Sequence, residues 1–402
     1  MFMAISLKML NSDNLSIVIG YMKTDENIKK LRVVSRKVNM CMVEYFKHYY
    51  NVGENEQYCR SIILRMSQKH IVGLKFSDGF DKIIDLSSIP NNIKRITFGW
   101  KFNQPVDNLP YGITHLTFGN DFNQSVDNLP NSITHLTFGW RFIHHSVDNL
   151  PDSITHLTFG FCFNRSVDKL PNKITHLTFG CWFNQSVDKL PNSITHLTFG
   201  SCFDKPVNNL PNNITHLTFG NWFNQSVDNL PSSITHLTFG GYFNQSVDNL
   251  PNSITHLTFC YDFNQSVDKL PNSVTHLTFS GYFNQSVDKL PNNITHLTFG
   301  GNFDQSVNNL PNSVTHLTFG NKFNKSVDKL PNSITHLTFG NWFNQSVDNL
   351  PNSITHLTFG FDFNQCVDNL PNSITHLTLC SKYKLRNTCK LLNSIKYLNT
   401  ID

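Results

Sequence analysis

Residues 330–349 read LPNSITHLTFGNWFNQSVDN, and close copies of this wording recur every 20 residues through most of the chain. Let the Ile that opens ITHLTFG be position zero. It falls at Ile93, Ile113 and Ile133, then from Ile154 every 20 residues to Ile374, with Val274 and Val314 in its place, fifteen copies in all. One residue inserted in FIHHSVDN, residues 142–149, shifts the frame by one. A worn copy precedes the series in Ile71, Leu74, Phe76, Phe80 and Ile84, and another closes it in Leu392, Ile395 and Leu398. A period of 20–30 residues marks a solenoid, and atypical end copies are what capping such an array requires.

Within the unit, apolar side chains stand at positions zero, three, five, nine, thirteen and sixteen. Alternation from Leu116 to Phe118 has period two and predicts a short strand. Pro110 and Pro130, each after a Leu, fix φ and remove a donor, which predicts a corner. Gly119, just past the strand, is expected to permit a sharp turn. No helical spacing occurs in the unit. Six apolar side chains are too few to offset the ordering of twenty residues, so each coil must be stabilised by its neighbours. With strands about 4.8 Å apart, sixteen coils predict a stack of about 75 Å. The expected fold is a repeat solenoid, mainly β, with one short parallel strand per coil. The spacing leaves its direction of curvature open.

The composition agrees with a copied unit. Phe supplies 34 of 402 residues, while charged residues make up only 15%. All seven methionines fall at or before Met66, and residues 1–70 hold the chain's surplus of Lys and Arg over Asp and Glu. Three segments follow: a small α-helical head at 1–70, a solenoid at 71–380 and a degenerate capping repeat at 381–402. A net charge of +4 is small for this length and argues against a nucleic-acid partner. No run of about 18 apolar residues spans a membrane. The opening MFMAISLKMLNSDN has too short an apolar stretch for a secretory signal. Nine cysteines without paired spacing suit a reducing compartment. A cytoplasmic protein is expected.

The spacing L-P-x-x-I-x-x-L-x-F-x-x-x-F-x-x-x-V resembles short leucine-rich repeats. The FNQ and LPNSITHLTFG wording over residues 71–380 resembles, more closely, the FNIP repeat of that superfamily, found in amoebae and the giant viruses that infect them. For a viral chain the expected compartment becomes the host cytoplasm. In a leucine-rich-repeat register, His115 and Thr117 would face the concave side and Leu116 and Phe118 the interior. The resemblance then implies one concave column of His115, His135, His156, His176, His196, His216, His236, His256, His276, His296, His316, His336, His356 and His376.

Comparing the copies with one another is informative. Thr-His-Leu-Thr is identical in fourteen of them, whereas positions seven and eight vary freely. All five tryptophans stand in those two columns. Trp100, Trp140, Trp182, Trp222, Tyr242, Tyr282 and Trp342 form a candidate target-binding edge, since Trp and Tyr are enriched at binding hot spots. A tolerant loop drifting after duplication is the alternative. A flat histidine column lacks the four convergent ligands of a zinc site, so no metal is expected. Repulsion between neighbouring imidazolium ions should instead make the column resist protonation near pH 6. The Asn after each second Phe, such as Asn103 and Asn123, is expected to bond turn backbone within the stack. Cys162, Cys181 and Cys202, in three successive coils, are expected to be free thiols, with a disulfide left open.

The head resembles an F-box. Its leucine-rich opening falls at Leu10, its I-L-x-Y-L step at Val18-Ile19-Gly20-Tyr21-Met22 and its L-R-x-V-S-R signature at Leu31-Arg32-Val33-Val34-Ser35-Arg36. The resemblance implies that Leu10, Leu15, Val18, Ile19, Leu31 and Val34 would dock a Skp1-like adaptor. The alternative is a helical cap over the first coil. No catalytic constellation or phosphate loop is present and no cofactor is implied. The sequence therefore reads as a non-enzymatic adaptor, the head recruiting a Skp1-containing ubiquitin ligase and the solenoid an unknown target protein. A scaffold without a ligase link is the other reading.

Overall fold

The computed structural model describes residues 50–52, 72–380 and 394–401. Its eighteen strands are β1 (Tyr50–Val52), β2 (Gly73–Phe76), β3 (Arg95–Thr97), fourteen His-Leu-Thr strands from β4 (His115–Thr117) to β17 (His376–Cys380), and β18 (Tyr397–Ile401). Each pairs in parallel with the next in chain order, and the register sets like against like: His115 opposite His135, Leu116 opposite Leu136. The sheet begins at Tyr50, inside the segment assigned to the head, where β1 pairs with β2. No helix among the described residues is long and apolar enough to cross a membrane.

The core is six columns. In the coil that opens at Ile214, the buried hydrophobic residues are Ile214, Leu217, Phe219, Phe223, Val227 and Leu230, the six positions expected from spacing, with Pro231 buried beside them. Phe219 and Phe223 stack with ring centroids 3.8 Å apart, and each stacks on its counterpart in the next coil. A coil thus covers both faces of its neighbours' rings, which the isolated unit could not do. The worn first copy joins this core through Leu74, Phe76 and Phe80. In the last, Ile395 packs against the core, while Leu398, opposite Leu377, is exposed.

A turn does follow the strand at Gly119, the Phe122 amide donating to the Gly119 carbonyl at 3.3 Å, but its backbone does not call for glycine. Among the described residues only Gly281 has a positive φ. At Gly119 the reason for glycine is close approach: a Cβ there would lie 1.8 Å from the carbonyl oxygen of Gly99. Four coils carry another residue at this position, namely Ser77, Cys260, Ser280 and Cys380. In the sixteen coils from β2 to β17, the strands before these four are the ones longer than three residues: β2, β11 (His256–Phe259), β12 (His276–Phe279) and β17. A side chain cannot occupy the close approach. The preceding Phe or Leu stays extended instead and adds a residue to the ladder, as Phe259 does opposite Phe279. Gly281 then takes φ 60° to rejoin the standard path.

Curvature follows from the ring spacings. Successive histidine rings lie 4.0–4.3 Å apart. The Phe column just inside the sheet repeats at 5.7 Å, as between Phe179 and Phe199, and the second Phe column at 6.1 Å, as between Phe183 and Phe203. Equivalent atoms move further per coil the further they lie from the axis of bending. That axis therefore lies on the histidine side, and the histidine face is concave. Neighbouring histidine planes are 10–12° apart. Thirteen such steps from His115 to His376 bend the array progressively toward the histidine side. The curvature that the spacing left open is thus toward the histidine face, the side that the leucine-rich-repeat resemblance implied.

Gly200→Ala tests the close approach. Its Cβ would meet the Gly180 carbonyl oxygen at 1.9 Å. We expect a lower thermal midpoint, of the order of 1–3 kcal/mol of overpacking, while Cys260→Gly leaves the midpoint unchanged or higher. Equal midpoints for Gly200→Ala and the parent chain would refute the account.

Candidate interaction surface

Two faces of the arc carry chemistry. On the concave face, each histidine is bonded by the threonine before it. Thr114 Oγ1 lies 3.1 Å from the Lys94 carbonyl oxygen and 2.9 Å from His115 Nδ1. The hydroxyl has one hydrogen. Left without it, the oxygen would face a carbonyl oxygen repulsively, so it donates to the carbonyl and accepts from Nδ1–H. The same pair of contacts recurs to Thr375 and His376. Each neutral imidazole accordingly keeps a lone pair on Nε2, and protonation adds there without disturbing the inner bond. Neighbouring planes are near parallel, so adjacent lone pairs run side by side instead of converging on one ion. Among the described residues no group of three or more His, Cys, Asp or Glu converges as a metal site.

Burial is the first cause that lowers the pKa of His115, His135, His156, His176, His196, His216, His256, His276, His316, His336 and His356 below the ordinary value. Repulsion between imidazolium ions, the cause expected from sequence, comes second, or third behind Arg95 at His115. Tyr397 closes the column by stacking on His376 at 4.5 Å.

The second face is the variable edge. All seven candidate aromatics are exposed, Trp140 least at 47% and Trp222 most at 56%. Five of them line two shallow grooves. One, of about 680 Å³, is bounded by Trp182, Trp222, Tyr242 and Cys202 together with Asn164, Asn184, Asp204 and Asn224. The other, of about 650 Å³, is bounded by Tyr282, Trp342, Lys322 and Asn302 together with Asn264, Asn284, Asp304 and Asn324. Trp140 instead stacks on Phe161 at 4.5 Å, and Trp100 lines neither groove. Lys322 Nζ lies 5.9 Å over the Trp342 ring.

The asparagines beside this edge form the expected ladder. Asn224 Oδ1 accepts from the Asn244 amide at 2.9 Å and from Gln245 Nε2 at 3.2 Å, and Asn244 Oδ1 accepts from Asn264 in turn. The ladder reaches Ile143, which accepts nothing through its side chain, and resumes at Asn164. Both grooves lie along the resumed stretch. Asn and Asp at this position therefore line the grooves as well as tie the backbone, a second role that sequence reasoning missed. Their place two residues after the variable columns was the available signal. The head residues Leu10, Leu15, Val18, Ile19, Leu31 and Val34 lie outside the described residues.

Comparison with known proteins agrees with this architecture. The FNIP Repeat family matches in overlapping units from residues 80–121 to 343–382. The chain belongs to the FNIP repeat family. No curated protein matches it. It is similar to CroV588, described as a novel circular leucine-rich-repeat protein, at 45% identity and a TM-score of 0.75, over 82% of this chain and 56% of that one. The chain thus spans little more than half the length of that relative. The functional domain of InlJ from Listeria monocytogenes, described as including a cysteine ladder, matches at 10% identity and TM-score 0.48, over 81% of this chain and 70% of that one. YopM from Yersinia enterocolitica WA-314 matches at 14% and 0.36, over 85% and 93%. This FNIP array has the form of a leucine-rich-repeat solenoid.

The histidine column sets a pH dependence. Folded-state pKa values below the ordinary value of about 6.5 mean that the unfolded chain takes up protons first. Stability is therefore complete above about pH 6.5 and declines as the pH falls through the lowered values. Thermal midpoints should hold between pH 7.5 and about pH 6.5 and drop from there to pH 5. A midpoint independent of pH over that range would contradict the assignment.

Proposed function

We propose that this protein is a non-enzymatic target-recognition adaptor whose variable aromatic edge binds a segment of a partner protein along the two grooves. One observation carries the reading: exposed Trp and Tyr side chains occupy the two columns that vary, on an array whose other columns are nearly uniform. Each ring offers a large apolar area and a polar edge at a low entropy cost, and Cys202 and Trp222 in one groove against Asn302 and Lys322 in the other make the two chemically unlike. Drift alone gives no reason for five tryptophans to gather there. In Trp182→Ala with Trp222→Ala, target affinity should fall tenfold or more, the loss of hot-spot contacts worth about 2 kcal/mol, while the thermal midpoint holds. Proximity labelling in cells reads the first effect. An unchanged set of labelled partners would sink the reading, and a large fall in midpoint would assign the rings to the core.

The finer form of the proposal is that residues 1–70 recruit a Skp1-like adaptor, so that the arc presents its target for ubiquitin transfer in the cytoplasm, the host's if the chain is viral. It rests on the F-box resemblance at Leu31-Arg32-Val33-Val34-Ser35-Arg36. A scaffold with no ligase link is favoured by a separate observation: β1, within residues 1–70, already continues the sheet, as a capping segment would. Full-length chain should retain Skp1 in a pulldown and lose it with Leu31→Asp plus Val34→Asp. A folded parent chain that recovers no Skp1 would favour the scaffold.

A further inference from the structure

Cys181 and Cys202 belong to adjacent coils at the edge of the first groove. Their sulfurs are 3.9 Å apart. The Cys202 amide donates to the Cys181 carbonyl at 2.8 Å. That backbone bond holds the two residues side by side, and the sulfurs need approach by only about 2 Å to reach the length of a disulfide bond. Both side chains are partly exposed, so a small oxidant reaches them. Cys162 is placed differently: its amide donates to Trp140, and the next coil answers its neighbour Phe161 through Trp182.

We propose that Cys181 and Cys202 form a reversible oxidation site, converted by a peroxide into a disulfide that staples two coils between Trp182 and Trp222. The Cys181 thiolate attacks one peroxide oxygen, the O–O bond breaks and Cys181 becomes a sulfenic acid with release of water. The Cys202 sulfur then attacks that sulfur, the S–O bond breaks and a second water leaves with the two remaining protons. Two thiols lose two electrons and two protons, and the peroxide gains them. Burial, then the hydrogen bond with Cys181, pushes the Cys202 thiol up, which disfavours Cys202 as the first nucleophile. A dithiol reductant reverses the reaction by exchange. The staple closes a loop of one coil, restricts the unfolded chain and raises the unfolding midpoint. Its bearing on target binding rests on the edge being the binding surface; the chemistry does not.

The test uses dilute full-length chain treated with hydrogen peroxide, alkylated, digested and read by mass spectrometry. The expected product is a linked pair of fragments carrying Cys181 and Cys202, lighter by two hydrogens than the reduced pair, with Cys162 still alkylated. Dithiothreitol should restore both thiols. Cys181→Ser and Cys202→Ser should each abolish the product, Cys162→Ser should keep it, and circular dichroism confirms that the variants fold. Alkylation of both thiols after peroxide would overturn the proposal. So would a sulfinic acid at either position with no link, or a link through Cys162. Because no target enters this readout, its failure is separate from any failure of the binding reading.

Discussion

In-register parallel pairing of identical coils forces every side chain to meet its own kind. For Phe, Leu and Ile that is favourable, because equal shapes stack and each coil supplies the cover the next one lacks. For Asn it is also favourable, since the side-chain oxygen of each accepts from the backbone amide of the Asn one coil on, and a column of them ties coil to coil. For ionisable groups it is a cost. The Asp column at position fourteen is relieved diagonally, by Lys169 on Asp148 at 3.2 Å or Asn249 on Asp228 at 3.0 Å in the following coil. The histidines are instead bonded inward to threonine. A low content of charge follows from the same constraint.

The constraint also explains where change is tolerated. A residue inside a column must suit two identical neighbours, so substitutions there must fit twice over. Positions seven and eight lie past the strand, with side chains directed outward, and meet weaker demands. The glycine column shows what happens when a demanding position is altered. At Cys260 and Ser280 the chain lengthens the strand and places Gly281 at positive φ, and the Phe stack continues through Phe259 and Phe279 at 5.5 Å. The array absorbs a local change without losing its core.

Bending links these features to function. Rings on the histidine side approach more closely than those in the core, so the concave face is a continuous strip of imidazoles, while the aromatic edge follows the strand ends. A binding partner at the edge would meet a regular series of amides interrupted by irregular aromatic and charged groups. On the proposed reading, uniformity would supply a regular frame and variation the specificity.

The 20-residue period, the strand at His-Leu-Thr, the six buried columns and the exposed aromatic edge were all legible in the amino-acid order. Each depends on local alternation copied many times, and repetition averages away the ambiguity of any one copy. The purpose of Gly119 was misread, because a close approach to Gly99 involves a residue one coil away and leaves φ ordinary. Burial's lead over repulsion at the histidines was likewise hidden, since it depends on how tightly the rings pack. Curvature, the grooves and the sulfur contact of Cys181 with Cys202 were decided by tertiary structure alone. They arise from differences of an ångström or two between equivalent distances on opposite sides of the same coil, and a linear pattern carries no record of those distances.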